Sequence, residues 1–323
     1  MDNNTSEQKS LTLSTKKGLN NLIDDFLLSL DLKQNSKQTY ERQMRSFVQW
    51  IIKTKLINPD REDILAYKIF LESQGLSSLT ISGYIVVVRK FFEYLEGIKF
   101  YPNIARGIKG MKRSKGFRKD PLTLRQIQML LNGIQTDTPQ GLRDYAIINL
   151  LIRTGLRTIE IIRTNIGDIR QESGEEVLWI QGKGRDTKDE FVLLTEETLL
   201  PIEAYLKKRS RKSKKENDPL FMSHSDRNFG KRLSTRSISR LVKENLRRVG
   251  IDSIRITAHS LRHTAITLAL QAGATIQEAQ ALGRHANINT TMIYAHNINR
   301  ITNAPERKID QLLGEYKKNE EKT

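Results

Sequence analysis

Four separated segments carry cationic or protonatable side chains at spacings that suit chemistry on a phosphate. In TGLRTIE, Arg157 follows Gly155 by two residues. A guanidinium keeps its charge at neutral pH, and its planar fork matches two phosphate oxygens. Glu160, three residues on, suits an orienting partner better than a catalyst. In HSLRH, helical spacing brings His259, Arg262 and His263 to one face, joining a fixed charge to groups that titrate near neutrality. Two histidines four apart also suit zinc. No carboxylate or cysteine is placed to complete such a site, so neither a metal nor another cofactor is expected. In LGRHANINTTMIYAH, Gly283 is expected to end one helix and Asn289 to cap the next, which puts Tyr294 in its first turns. A tyrosine of pKa about 10 is protonated at neutral pH, and it attacks phosphorus only with cationic neighbours or a base. His285 stands nine residues before it, across a turn. The fourth segment, GKGRDTKDE, carries Lys183 in a predicted hairpin loop, where an ammonium could protonate a leaving oxygen. Taken singly, each of these residues has an ordinary structural explanation: an exposed arginine, a core tyrosine, a solvated lysine.

The elements that must position them follow from apolar periodicity. Stripes at Leu22, Ile23, Phe26, Leu27 and Leu30, and at Tyr40, Met44, Phe47, Val48, Ile51 and Ile52, read as two helices. The second is expected to be capped at Asn35-Ser36. A third helix follows Pro59-Asp60 with Ile64, Leu65, Ile69 and Phe70, and a fourth starts near Ser77-Ser78 and runs to Leu95. Together they predict a helical domain over 16–106, after a disordered tail at 1–15. GIKGMKRSKGFRKD, with six Lys or Arg in residues 107–120, reads as a basic linker able to lie along phosphates. A second domain over 121–304 begins with a helix capped at Thr123. It continues with an apolar helix ending at Gly155, two strands around 177–195, and helices from Thr195 to Lys208 and Ser234 to Val249. KKRSRKSKK, residues 207–215, reads as a solvated, mobile loop. Residues 305–323 put Ile309, Leu312 and Leu313 on one short helix face. The fold class expected is mainly α with a small β-sheet or hairpin in the C-terminal domain.

Composition points to the partner. Hydrophobic residues at 37% and charged residues at 28% suit a soluble globular chain, and no apolar run approaches the roughly 18 residues of a membrane span. The polar segment Met1–Ser10 lacks the apolar core of a signal peptide, and cysteine is absent, so a cytoplasmic protein without disulfides is expected. Lys and Arg number 54 against 37 Asp and Glu, a net charge of +17. Such a surplus favours a polyanion, because binding phosphates releases condensed counterions.

TGLRTIE, GKGRDTK, HSLRH and GRHANINTTMIY, in that order over about 140 residues, resemble the tyrosine recombinases, the phage integrase and Xer-like family. With the helical first domain, the likeness spans residues 16 to 315. The resemblance implies a two-domain DNA clamp, made of a helical core-binding domain and a mixed α/β catalytic domain. It implies Arg157 and Arg262 as the pair holding the non-bridging oxygens, and His259 and His285 as assistants in proton transfer and phosphate stabilisation. Lys183 becomes the general acid and Tyr294 the nucleophile, with His263 in support. It further implies double-stranded DNA bearing a specific recombination site as partner, dimers or tetramers assembled on that DNA, a nucleoid location, and a 3′-phosphotyrosyl intermediate that needs neither metal nor ATP. One position departs from the family pattern. Arg284 stands where a glycine commonly precedes the histidine, and Gly283 is displaced one back. Two other activities share parts of this pattern. A type IB topoisomerase would use a similar residue set without a partner site, and a non-enzymatic DNA-binding regulator would need no nucleophile.

Overall fold

Apolar stripes become packed helices in the computed structural model, which describes residues 16–112, 119–182, 184–209, 215–302 and 304–320. The chain divides into two units, Met1–Lys115 and Gly116–Thr323. The first contains α1 (Lys16–Ser29), α2 (Gln34–Thr54), α3 (Arg61–Ser73) and α4 (Ser78–Gly97). Leu19, Ile23 and Phe26 of α1 meet Met44, Phe47 and Ile51 of α2, and α4 contributes seven buried apolar residues to the same core. The Phe47 ring lies 4.9 Å from Tyr67, 6.1 Å from Phe92 and 6.2 Å from Trp50. α3 starts on a reciprocal cap: Asp60 accepts from the Glu62 and Asp63 amides, and Asp63 accepts from the Asp60 amide.

Several expectations are corrected here. α2 begins at Gln34, with Lys33 as a cap whose side chain makes no capping bond, so Asn35-Ser36 already belongs to the helix. The buried face of α3 is Ile64, Tyr67 and Leu71, while Leu65 and Ile69 are exposed. The basic stretch read as a linker from Gly107 makes contacts with the helical unit over its first residues. Ile108 is buried in the helical core, the Ser82 hydroxyl accepts from the Met111 amide at 2.9 Å, and Lys68 donates to the Lys109 carbonyl at 3.1 Å. Residues 113–118 of that stretch, Arg113 among them, and the tail at 1–15 lie outside the described residues.

The second unit is built on α6 (Pro139–Thr154), which follows α5 (Leu124–Asn132) and ends at Gly155 in a left-handed conformation, φ 60°. Next come α7 (Thr158–Arg163) and an antiparallel sheet, β1 (Ile169–Glu172), β2 (Glu175–Ile180) and β3 (Glu190–Leu193), in the order β1-β2-β3. β1 was not expected from the sequence: its residues, IRQE, are mostly polar. The turn Ser173-Gly174, with φ of 54° and 87°, nevertheless closes a tight hairpin onto β2. Leu178 and Ile180 face the core, and Trp179 packs 5.5 Å from its strand partner Phe191 on the other side. The unit is completed by α8 (Glu196–Lys208), α9 (Thr235–Arg248), α10 (Ala258–Gln271), α11 (Ile276–Gly283), α12 (Ile288–Thr302) and α13 (Pro305–Glu320). α6 packs against both α8 and α10. Of the basic run at 207–215, Arg209 is not solvated: it is buried and donates to the carbonyls of Pro219 and Leu220 at 2.8 and 3.2 Å. Residues 210–214 lie outside the described residues.

Trp50 and Trp179, one in each unit, allow the first core to be read separately. In a Trp179→Phe background, Phe47→Ala is expected to lower the stability of the helical unit by about 3–5 kcal/mol, measured as a shift of the urea transition in Trp50 fluorescence. A shift under about 1 kcal/mol would show that the ring cluster is not the centre of that core.

Candidate active site

Arg157 is the N-cap of α7, and the turn that presents it exists because Gly155 ends α6 two residues earlier. Glu160, fully buried, accepts the Arg157 backbone N–H on one oxygen and Arg157 Nη1 on the other, both at 2.7 Å. Arg157 Nη2 donates to the Arg284 carbonyl at 3.1 Å. The side chain keeps 28% of its surface exposed, so the guanidinium is oriented by protein on one side and open to solvent on the other.

Arg262, on α10, is 2% exposed and donates to the carbonyls of Gly155 and Gly283. Burial, then the charges of Arg157 and Arg284, push its pKa down to about 9, so it remains cationic at neutral pH. One side chain thereby joins the turn that carries Arg157 to the helix end that precedes His285. Gly283 leaves room for the His285 ring there, because a Cβ would stand 2.9 Å from His285 Cε1 and displace it. Asn289 does not cap α12, as its own amide donates to Asn287 Oδ1 at 2.8 Å and the helix starts at Ile288. Gly283 ends α11 as expected, and the left-handed residue is the next one. Arg284 takes that conformation, φ 45°.

Tyr294, in the second turn of α12, is 4% exposed and packs with Ile266, Ala279 and Leu270 in a small cluster apart from the main core. Its hydroxyl is hydrogen-bonded to His263 Nδ1. Burial raises its pKa to about 12, against the lowering influence of Arg262. The phenol is therefore neutral and needs a proton acceptor. His285 Nδ1 is hydrogen-bonded to Thr291 Oγ1 at 2.9 Å, and its ring lies 6.2 Å from Tyr294. Burial, followed by the neighbouring charges, brings both His263 and His285 down to about 4, so both are neutral and able to accept a proton. His259 is exposed as a residue and its ring meets that of His263 edge-on at 4.6 Å. Desolvation of the ring, then Arg262, Arg157 and Lys119, lowers its pKa as well.

The structure thus brings together Arg157, Arg262, His259, His285 and Tyr294. Lys183 lies outside the described residues. The backbone next to it in sequence is anchored, since Arg163 Nη1 donates to the Gly182 carbonyl at 3.0 Å, and Lys188 pairs with the buried Asp168. Two residues gain a place that the spacing did not give them. His263 is the group that meets the tyrosine hydroxyl, across 31 residues of sequence with no local signal. Arg284, noticed only as a departure from a pattern, is a third guanidinium in the site. Among the described residues, no group of three or more His, Cys, Asp or Glu could hold a metal ion, and no helix is long and apolar enough to cross a membrane.

Residues 121–300 match the phage integrase family, and residues 22–97 match the phage integrase N-terminal SAM-like domain. The chain belongs to the phage integrase family of tyrosine recombinases. Its relatives within the family include a tyrosine recombinase XerD of Listeria monocytogenes serotype 4b (strain F2365), 33% identical over 86% of this chain and 94% of that one. Among solved structures, the fold is similar to the XerH site-specific recombinase bound to a palindromic difH substrate (TM-score 0.66, 22% identity, 84% of this chain and 80% of that one). It is equally similar to the Tn1549 transposon integrase in complex with a circular intermediate DNA (TM-score 0.67, 19% identity, 85% and 93%).

The neutral histidines His263, buried, and His285, half-buried, link the stability of this recombinase to pH. Their pKa values fall from 6.5 in the unfolded chain to about 4 when folded, so below 6.5 the unfolded state binds more protons. Stability is expected to be full above pH 6.5 and to be lost as the pH falls from 6.5 towards 4. His263→Gln should flatten that dependence in urea titrations at a series of pH values; a slope equal to that of wild type would show that His263 is not buried in its neutral form.

Proposed function

We propose that this chain is a site-specific DNA recombinase in which Tyr294 attacks a backbone phosphate while Arg157 and Arg262 hold its non-bridging oxygens. The observation that carries the reading is the meeting of three distant segments at Arg262: the Arg157 turn, the His285 junction and, through the adjacent His263, the Tyr294 hydroxyl. The tyrosine oxygen bonds to phosphorus, the bond to the 5′ oxygen breaks, and a 3′-phosphotyrosyl link holds the cut strand. A histidine takes the phenolic proton. The hydrogen bond between the Tyr294 hydroxyl and His263 Nδ1 supports His263 in this role, and the arriving phosphate charge favours its protonated form. Lys183 supplies the proton to the departing 5′ oxygen. Guanidinium groups oppose the charge that grows on the pentavalent phosphorus. Because the link conserves the phosphodiester, a second 5′ hydroxyl reverses the steps and rejoins the strands without metal or ATP.

The two units act, in this reading, as a clamp on duplex DNA, with the helical unit as core-binding domain. Four protomers assemble on two sites, in the cytoplasm and on the nucleoid, to integrate or excise a mobile element or to resolve DNA dimers. The net charge of +17 supports a DNA partner, and the exposed face of Ile309, Leu312 and Leu313 on α13 supports docking onto a neighbouring protomer. The named relatives, all recombinases or integrases, do not favour a topoisomerase or a regulator.

A nicked suicide duplex bearing the native site tests the chemistry. Wild type is expected to give a DNA-linked protein band on a denaturing gel in the presence of chelator and without ATP, and Tyr294→Phe to give none. Tight binding with no adduct from wild type would sink the reading. Arg157→Ala and Arg262→Ala should slow single-turnover cleavage by about 10²–10³-fold with much smaller losses in binding. Equal losses in both would argue against the clamp. Truncation after Asn303 should reduce synapsis and leave binding of one protomer to DNA largely intact, as read by gel shift; undiminished synapsis would remove α13 from the assembly.

A further inference from the structure

Arg284 occupies a left-handed backbone position, φ 45° and ψ 50°, that glycine would take with less strain. Its side chain is nevertheless turned inward and 8% exposed. Nη2 donates to the Gly155 carbonyl at 3.0 Å and lies 3.2 Å from Glu160 Oε2, while the Arg284 carbonyl accepts from Arg157 Nη2. Nε is buried and finds no acceptor among the described residues. A long cationic side chain is thus held in a strained, incompletely satisfied position at the heart of the site.

The electrostatics give that position a purpose. Glu160 is fully buried and already paired with Arg157. If these two stood alone, the carboxylate would offset the charge that Arg157 presents to a phosphate, leaving Arg262 as the one net positive charge. With Arg284 on the second carboxylate oxygen, three guanidinium groups face one carboxylate and two net positive charges remain. At low local dielectric this difference acts directly on an incoming dianionic transition state.

We propose that Arg284 is a positioning residue for strand cleavage. It shares Glu160, so that the charge of Arg157 stays available to the scissile phosphate, and its carbonyl aims the Arg157 guanidinium. This rests on the recombinase reading above.

The test uses the full chain on two suicide duplexes, one with the ordinary scissile phosphodiester and one with an uncharged methylphosphonate there. Arg284→Gly removes the charge and relieves the backbone; Arg284→Lys keeps the charge without the fork. Arg284→Gly is expected to melt no lower than wild type, to bind DNA within about twofold, and to cleave the phosphodiester about tenfold or more slowly. Its deficit should shrink on the methylphosphonate, which needs less positive charge, and Arg284→Lys should fall between the two. Wild-type cleavage rates in Arg284→Gly, or an equal deficit on both duplexes, would overturn the proposal. If Arg284→Gly unfolds, Arg284→Gln against Arg284→Lys makes the same comparison of charge. A wild-type chain that forms no Tyr294-linked adduct would instead overturn the recombinase reading beneath it, and this proposal with it.

Discussion

The active site depends on one buried guanidinium bridging two backbone carbonyls. Arg262 reaches from α10 to Gly155 at the end of α6 and to Gly283 at the end of α11. The last carbonyls of a helix lack intrahelical partners and carry partial negative charge, so a cation placed between two such ends satisfies both. The cost of burying the charge is met by those contacts and by Glu160 close by. The gain is geometric. Residues far apart in sequence are held at one point by a group that cannot lose its proton at neutral pH. Arg157 and His285 inherit their positions from the two helix ends so fixed.

Proton chemistry is arranged around the same group. Tyr294, His263 and His285 are all held in neutral forms, the phenol by burial and the imidazoles by burial with cationic neighbours. A neutral donor beside a neutral acceptor is a resting arrangement. The anionic charge of a phosphate would shift the balance towards imidazolium. An anion bound here and a proton leaving the Tyr294 phenol are then electrostatically coupled.

Much of this was legible in the sequence because it is local. The capped starts of α3, α5 and α9 stand at Asp60, Thr123 and Ser234, and Gly155 ends α6 where a left-handed terminator was expected. Motif order also named Arg157, Arg262, His259, His285 and Tyr294, which the fold brings together. What was missed is tertiary. β1 carries three polar residues in four, and its pairing is dictated by the Ser173-Gly174 turn and by β2. Arg209 sits in a run of surface-like charge, yet the carbonyls of Pro219 and Leu220 draw it inside. The contact of His263 with Tyr294 depends on how α10 and α12 cross, which no spacing within either helix reveals. The left-handed position after α11 is taken by Arg284, one residue beyond Gly283, which no local signal announces.

The small cluster that buries Tyr294 is separate from the main core of its unit, with Ile266, Ala279 and Tyr294 as its buried members among the described residues. Opening a cooperative unit costs in proportion to the apolar surface it uncovers. Lifting α12 away would uncover this cluster and leave the core around α6 sealed. Tyr294 therefore sits on a helix whose apolar anchorage is small and largely its own. A local rearrangement of α12 would cost a fraction of the global stability of its unit.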